Sequence, residues 1–97
     1  MKPSEVLEQN RQAIRDATKR FNAENPRVFG SVARGEDTIK SDLDILVDDL
    51  PGSTLITLGG LQDALEVLLV GTSVHLLTPA DLPEPVRQRV LAEAKPI

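Results

Sequence analysis

The stretch Gly30-Ser31-Val32-Ala33-Arg34-Gly35-Glu36-Asp37-Thr38-Ile39-Lys40-Ser41-Asp42-Leu43-Asp44-Ile45-Leu46-Val47 decides how the chain is read. It opens on a tight glycine–serine step, crosses a charged loop and closes in an alternating segment. Successive side chains on a strand point to opposite faces, so Asp42 and Asp44 project together. Their α-carbons would lie roughly 6–7 Å apart at a rise of about 3.3 Å per residue. Leu43, Ile45 and Val47 point the other way, into a core. Two carboxylates side by side at the end of a buried strand repel each other. A divalent cation between them removes that repulsion.

Upstream, Arg27-Val28-Phe29 reads as a short strand running into the glycine–serine step. Before it, Ser4 suits a helix N-cap and Glu5 a first turn, with Leu7, Ile14, Ala17 and Phe21 at helical spacing. This predicts a helix from about Ser4 to Ala23, ended by Asn25-Pro26 because the residue before proline avoids helical geometry. Val32-Ala33-Arg34 is expected to form one helical turn.

Downstream of the strand Leu43–Asp48, Asp49 to Ser53 has turn composition. Leu58, Leu61, Leu65, Leu68 and Leu69 then predict a helix from Thr57. Gly59-Gly60 weakens its first turn by roughly 1 kcal/mol per glycine, and Gly71 stops it. Val74 to Leu77 reads as a third strand, and a last helix runs from about Pro85 to Ala94. The order α-β-turn-β-α-β-α predicts an α/β fold: a small mixed sheet covered by helices, in one domain over residues 1–97.

Composition bounds the function. Ninety-seven residues, 40% of them hydrophobic, suffice for one core. A net charge of −4 argues against a chain that grips nucleic acid through phosphate neutralisation, so no direct nucleic-acid contact is expected. Cysteine is absent, which removes disulfides, thiolate metal sites and thiol nucleophiles. No apolar run approaches the ~20 residues that span a bilayer, and the N-terminus lacks the apolar core of a signal peptide. The expectation is a cytoplasmic protein without membrane contact. Phe21 and Phe29 are the only aromatic residues.

Asp42 and Asp44 are the candidate metal ligands. Mg²⁺ takes oxygen donors in near-octahedral geometry, commonly one or two carboxylates together with substrate phosphates. Gly30 allows close backbone approach, and Ser31 offers a hydroxyl and the N–H groups of the following turn to a phosphate. Arg34 and Lys40 lie in the same segment and carry charge to neutralise it. Asp-x-Asp and Gly-Ser are each common alone. At this spacing, between apolar strands, they read as a nucleoside triphosphate and metal site.

Gly30-Ser31, ten residues, then Asp42-Leu43-Asp44 resembles the signature of the DNA polymerase β-like nucleotidyltransferase superfamily. The short length, Gly-Ser-Val-Ala-Arg-Gly, and the closing Leu-Leu-Thr-Pro-Ala-Asp-Leu before an Arg-Val-Leu-Ala-Glu-Ala helix resemble its minimal nucleotidyltransferase (MNT) branch. Members of that branch are commonly antitoxins of MNT–HEPN toxin–antitoxin pairs. The resemblance implies the polymerase β-like fold, Mg²⁺, and transfer of AMP from ATP to a tyrosine of a HEPN ribonuclease toxin. It assigns phosphate to Gly30 and Ser31 and metal to Asp42 and Asp44. The chain has no tyrosine of its own, so that acceptor would stand on another molecule.

One position departs from the family pattern. The branch carries a third carboxylate in a segment like Val-Asp-Leu-Val-Thr-Pro, where this chain reads Val74-His75-Leu76-Leu77-Thr78-Pro79. Histidine suits Mn²⁺ better than Mg²⁺ and suits a catalytic base, with an ordinary pKa near ~6.5. It does not replace the lost charge. Three readings follow: an active enzyme, with Mn²⁺ accepted and activity rising between roughly pH 6 and 7; an antitoxin with a weakened site that neutralises its toxin by binding; and a small-molecule nucleotidyltransferase. The last is ranked lowest, because no added loop or domain offers an acceptor pocket.

Overall fold

The computed structural model describes residues 1–97. Helix α1 (Pro3–Arg20) leads into β1 (Ala23–Phe29), the short helix α2 (Gly30–Arg34), β2 (Leu43–Asp49) and helix α3 (Leu55–Leu68). Strand β3 (Val74–Leu77), a 3-10 turn at Pro79–Asp81, helix α4 (Val86–Glu93) and β4 (Lys95–Pro96) complete the chain. The strands lie in the order β3-β2-β1-β4. Strand β2 pairs antiparallel with β1 and parallel with β3, and β4 pairs antiparallel with β1, so the sheet is mixed as the sequence predicts.

The strand β2 is the spine. Leu43, Ile45 and Val47 are fully buried on the face covered by α1 and α3, where they join Leu7, Ile14, Leu61 and Leu65. Leu46 faces the opposite side and packs with Phe29, Leu82 and Val90, under α4. Alternation along the strand therefore puts Asp42 and Asp44 on the α4 side, in line with Leu46.

Three details differ from the sequence reading. Helix α1 stops at Arg20 rather than near Ala23: the Phe21 N–H returns to the Ala17 carbonyl and Asn22 takes a positive φ of 60°. Asn25-Pro26 thus lies inside β1 instead of ending the helix. Asn25 has φ 54°, and the register with β2 breaks between Glu24 and Arg27, so the proline sits where the ladder is already interrupted. Ser4 is within α1 rather than capping it, and its N–H donates to Asp37 Oδ2 at 2.9 Å, tying the charged loop to the helix. The two-residue strand β4 is a further element that periodicity cannot reveal. It is too short for a pattern and contains Pro96, and it is fixed by pairing with Arg27 and Val28.

The Gly59-Gly60 pair also acquires a reason. A Cβ on Gly60 would lie 2.8 Å from the ring of Phe21, whereas one on Gly59 would meet nothing within 4 Å. The glycine at 60 lets Phe21 pack against α3, and the helix tolerates the propensity cost.

Candidate active site

Asp44 sits in the middle of a row across three strands, with Phe29 opposite on β1 and His75 beside it on β3. The parallel pairing of β2 and β3 thereby brings together residues thirty-one positions apart in sequence. His75 stands against both carboxylates: its Nδ1 is 3.4 Å from Asp44 Oδ1 and its Nε2 is 3.6 Å from Asp42 Oδ2. Both distances exceed an ordinary hydrogen bond. The contact is electrostatic, with the imidazole placed where it faces two acceptors at once.

The two carboxylates differ in exposure. Asp42 keeps 45% of its side chain accessible and Asp44 only 22%. Burial raises the Asp44 carboxyl above the ordinary carboxylate range, and the charges of Asp42 and Glu93 push it the same way while His75 and Arg34 oppose them. This pair is a donor set short of positive charge, and it fits a divalent cation. No three His, Asp or Glu side chains close around one point. An ion here would take two protein carboxylates and fill its remaining positions with phosphate or water oxygens, as Mg²⁺ sites commonly do.

Gly30 begins α2 with φ 72°. A Cβ there would overlap the Asp44 carboxylate oxygen and lie 3.3 Å from Asp44 Cγ. Glycine is therefore required twice, by backbone angle and by the approach of Asp44. Ser31 follows directly, half-buried in the first turn of α2.

Arg34 and Lys40 are not gathered with these groups in the same way. The Gly30 N–H donates to Glu93 Oε2 at 2.7 Å, and Arg34 Nη1 donates to Glu93 Oε1 at 3.0 Å. Arg34 also lies 3.6 Å from Glu36. Its guanidinium is near the site but already paired. Lys40 lines a separate groove on the far side of Asp42, between Met1, Ile39 and Gly71. The sequence gives no cue to Glu93, because α4 reads as a packing helix and its last residue acquires meaning only where the chain end folds back. Arg87 on α4 is a structural tie: its Nε donates to the carbonyls of Pro79 and Leu82 at 2.8 and 3.0 Å.

Comparison with known proteins identifies the family and the fold. Residues 11–97 match the nucleotidyltransferase domain family. The protein adenylyltransferase MntA of Thermococcus cleftensis is 35% identical over 88 residues, covering 91% of this chain and 85% of that protein. A solved minimal nucleotidyltransferase superposes with a TM-score of 0.85 at 42% identity, covering 97% of this chain and 95% of the other. A toxin–antitoxin crystal structure with AMP-PNP shares the fold, with a TM-score of 0.70 at 24% identity over 90% of this chain and 71% of that one. No helix is long and apolar enough to cross a membrane. The chain belongs to the nucleotidyltransferase domain family, on a minimal version of its mixed-sheet fold.

Proposed function

We propose that this chain is an antitoxin-type adenylyltransferase of the cytoplasm, which moves AMP from ATP to a tyrosine of a HEPN-type ribonuclease toxin. The observation that carries the reading is the meeting of Asp42, Asp44 and His75 at the N-terminal ends of the parallel strands β2 and β3, with Gly30 backed against Asp44. The adenylyltransferase relative and the toxin–antitoxin neighbour with AMP-PNP support the substrate and the partner.

In this reading Asp42 and Asp44 hold Mg²⁺ or Mn²⁺, which supplies charge neutralisation at the phosphates when bound. Gly30 and Ser31 approach the phosphates from α2, with Arg34 as the nearer cation, joined to Gly30 through Glu93, and Lys40 as a more distant one in the groove beyond Asp42. The acceptor hydroxyl oxygen attacks the α-phosphorus. The bond from that phosphorus to the oxygen bridging the β-phosphate breaks, and pyrophosphate leaves with its electron pair. His75 takes the hydroxyl proton, and the flanking carboxylates stabilise the resulting imidazolium. The chain contains no tyrosine, so a tyrosine acceptor would stand on another molecule. With no Trp or Tyr to stack on the base, nucleotide affinity is modest until the partner is present.

His75 favours a second reading, neutralisation by binding with slow transfer or none, since a neutral imidazole lowers the negative charge available to a cation. Intact-mass measurement of the partner toxin, incubated with this chain, ATP and either metal, separates the two. A gain of AMP that disappears with Asp42→Ala/Asp44→Ala supports transfer. An unchanged mass beside a stable, silenced complex supports binding alone. His75→Asp then raises transfer if the imidazole is a handicap and lowers it if it is the base.

A further inference from the structure

Glu93 occupies the donors on which the phosphate reading depends. Its Oε2 accepts from the Gly30 N–H at 2.7 Å, and Oε1 accepts from Arg34 Nη1 at 3.0 Å. A carboxylate spanning one backbone N–H and one guanidinium satisfies the same donors that two phosphate oxygens would use. Glu93 is also one of the charges bearing on Asp44. With a triphosphate added, three carboxylates and several phosphate oxygens would crowd one small region.

We propose that Glu93 is a built-in competitor of the nucleotide: its carboxylate holds Gly30 and Arg34 until a triphosphate displaces it. The inference rests on the assignment of phosphate to Gly30 and Arg34 made above. Displacement requires no change of fold. Glu93 is the last residue of α4, a helix held to the sheet by Val90 and Val86 against Phe29 and Leu46. The glutamate side chain has three rotatable bonds and opens onto a groove of about 300 Å³. Arg89, one turn earlier on α4, lines that groove and makes no ion pair, while Glu93 at i+4 stands at helical reach of it. A displaced Glu93 therefore has a cation waiting for it. The residue would alternate between Gly30–Arg34 in the free protein and Arg89 in the loaded one.

The test is calorimetric titration of the full chain with a non-hydrolysable ATP analogue and Mg²⁺. Glu93→Gln keeps an oxygen for the Gly30 N–H and removes the charge, so the fold is retained. It is expected to tighten the analogue about tenfold, the equivalent of ~1.4 kcal/mol. Arg89→Gln is expected to weaken binding in the parent and to have no effect in the Glu93→Gln background. Unchanged or weaker binding by Glu93→Gln would overturn the proposal and make Glu93 a support for Arg34. An Arg89→Gln loss of equal size in both backgrounds would also overturn it, since Arg89 would then touch the nucleotide itself. Arg34→Gln distinguishes the failures. If it weakens the analogue while Glu93→Gln leaves it unchanged, the phosphate assignment stands and only the competitor falls. If neither parent nor Glu93→Gln protein binds the analogue, both fall together.

Discussion

Gly30 and Gly35 share a backbone angle and differ in their surroundings, which makes them a controlled pair. Both have φ 72°. A Cβ on Gly30 would overlap the Asp44 carboxylate, and one on Gly35 would meet nothing within 4 Å. Alanine in the left-handed region costs about 1–2 kcal/mol at either position. Gly30→Ala adds an overpacking cost of about 1–3 kcal/mol, and the low end applies because the clashing oxygen is the tip of a short side chain that can turn aside. Domains of this size lose about 4–8 °C per kcal/mol, so Gly30→Ala should melt roughly 5–15 °C below Gly35→Ala. The turned carboxylate also leaves its place beside His75, so transfer should fall in Gly30→Ala and persist in Gly35→Ala. Thermal unfolding of both variants in the parent and in an Asp44→Ala background measures the coupling. Removing the carboxylate should bring the two costs together. Equal melting temperatures in the parent, or a gap that survives Asp44→Ala, would refute the close-approach argument.

Three further expectations test other parts of the structure. The raised Asp44 carboxyl binds its proton more tightly in the folded than in the unfolded chain, so its favourable contribution is complete below the ordinary carboxylate range and is lost as pH rises through the raised value. Asp44→Asn should therefore melt above the parent at pH 7 without divalent metal, with the difference vanishing in acid. Saturating Mg²⁺ should narrow or reverse the gap by stabilising the parent alone, by about 2.7 kcal/mol at one hundred times its Kd. Gly59→Ala should raise stability by up to about 1 kcal/mol in denaturant titration, whereas Gly60→Ala should not, because its Cβ meets the Phe21 ring. Gln62 lies along the free edge of β3, where Nε2 donates to the Val74 carbonyl at 2.8 Å and Oε1 accepts the Leu76 N–H at 3.1 Å. Gln62→Ala should cost about 1–3 kcal/mol, and light scattering should show increased self-association through the uncovered edge.

Much of the architecture was legible because the core is written in simple periods. Leu43, Ile45 and Val47 alternate, and β2 is the buried spine. Leu58, Leu61 and Leu65 recur at helical spacing, and α3 covers one face. The C-terminal end of α1 and the start of β1 were misread because Asn22 and Asn25 both adopt positive φ, which the sequence permits without requiring. Strand β4 was invisible because two residues carry no period.

The same division runs through the candidate site. The sequence by itself determined which chemistry is available: two aspartates on one strand face, a glycine–serine turn ahead of them, no thiol, and a histidine where the family resemblance expects an acid. Local spacing decides those features, since alternation along one strand fixes Asp42 beside Asp44. Only the tertiary structure decided what each group meets. Parallel pairing of β2 with β3 sets His75 against both carboxylates, and antiparallel pairing of β1 with β2 carries Gly30 onto Asp44. The return of the chain end alongside β1 brings Glu93 to Gly30 and Arg34, across fifty-nine residues or more of sequence. Those contacts depend on how separate elements pack, and no period within a single element encodes them.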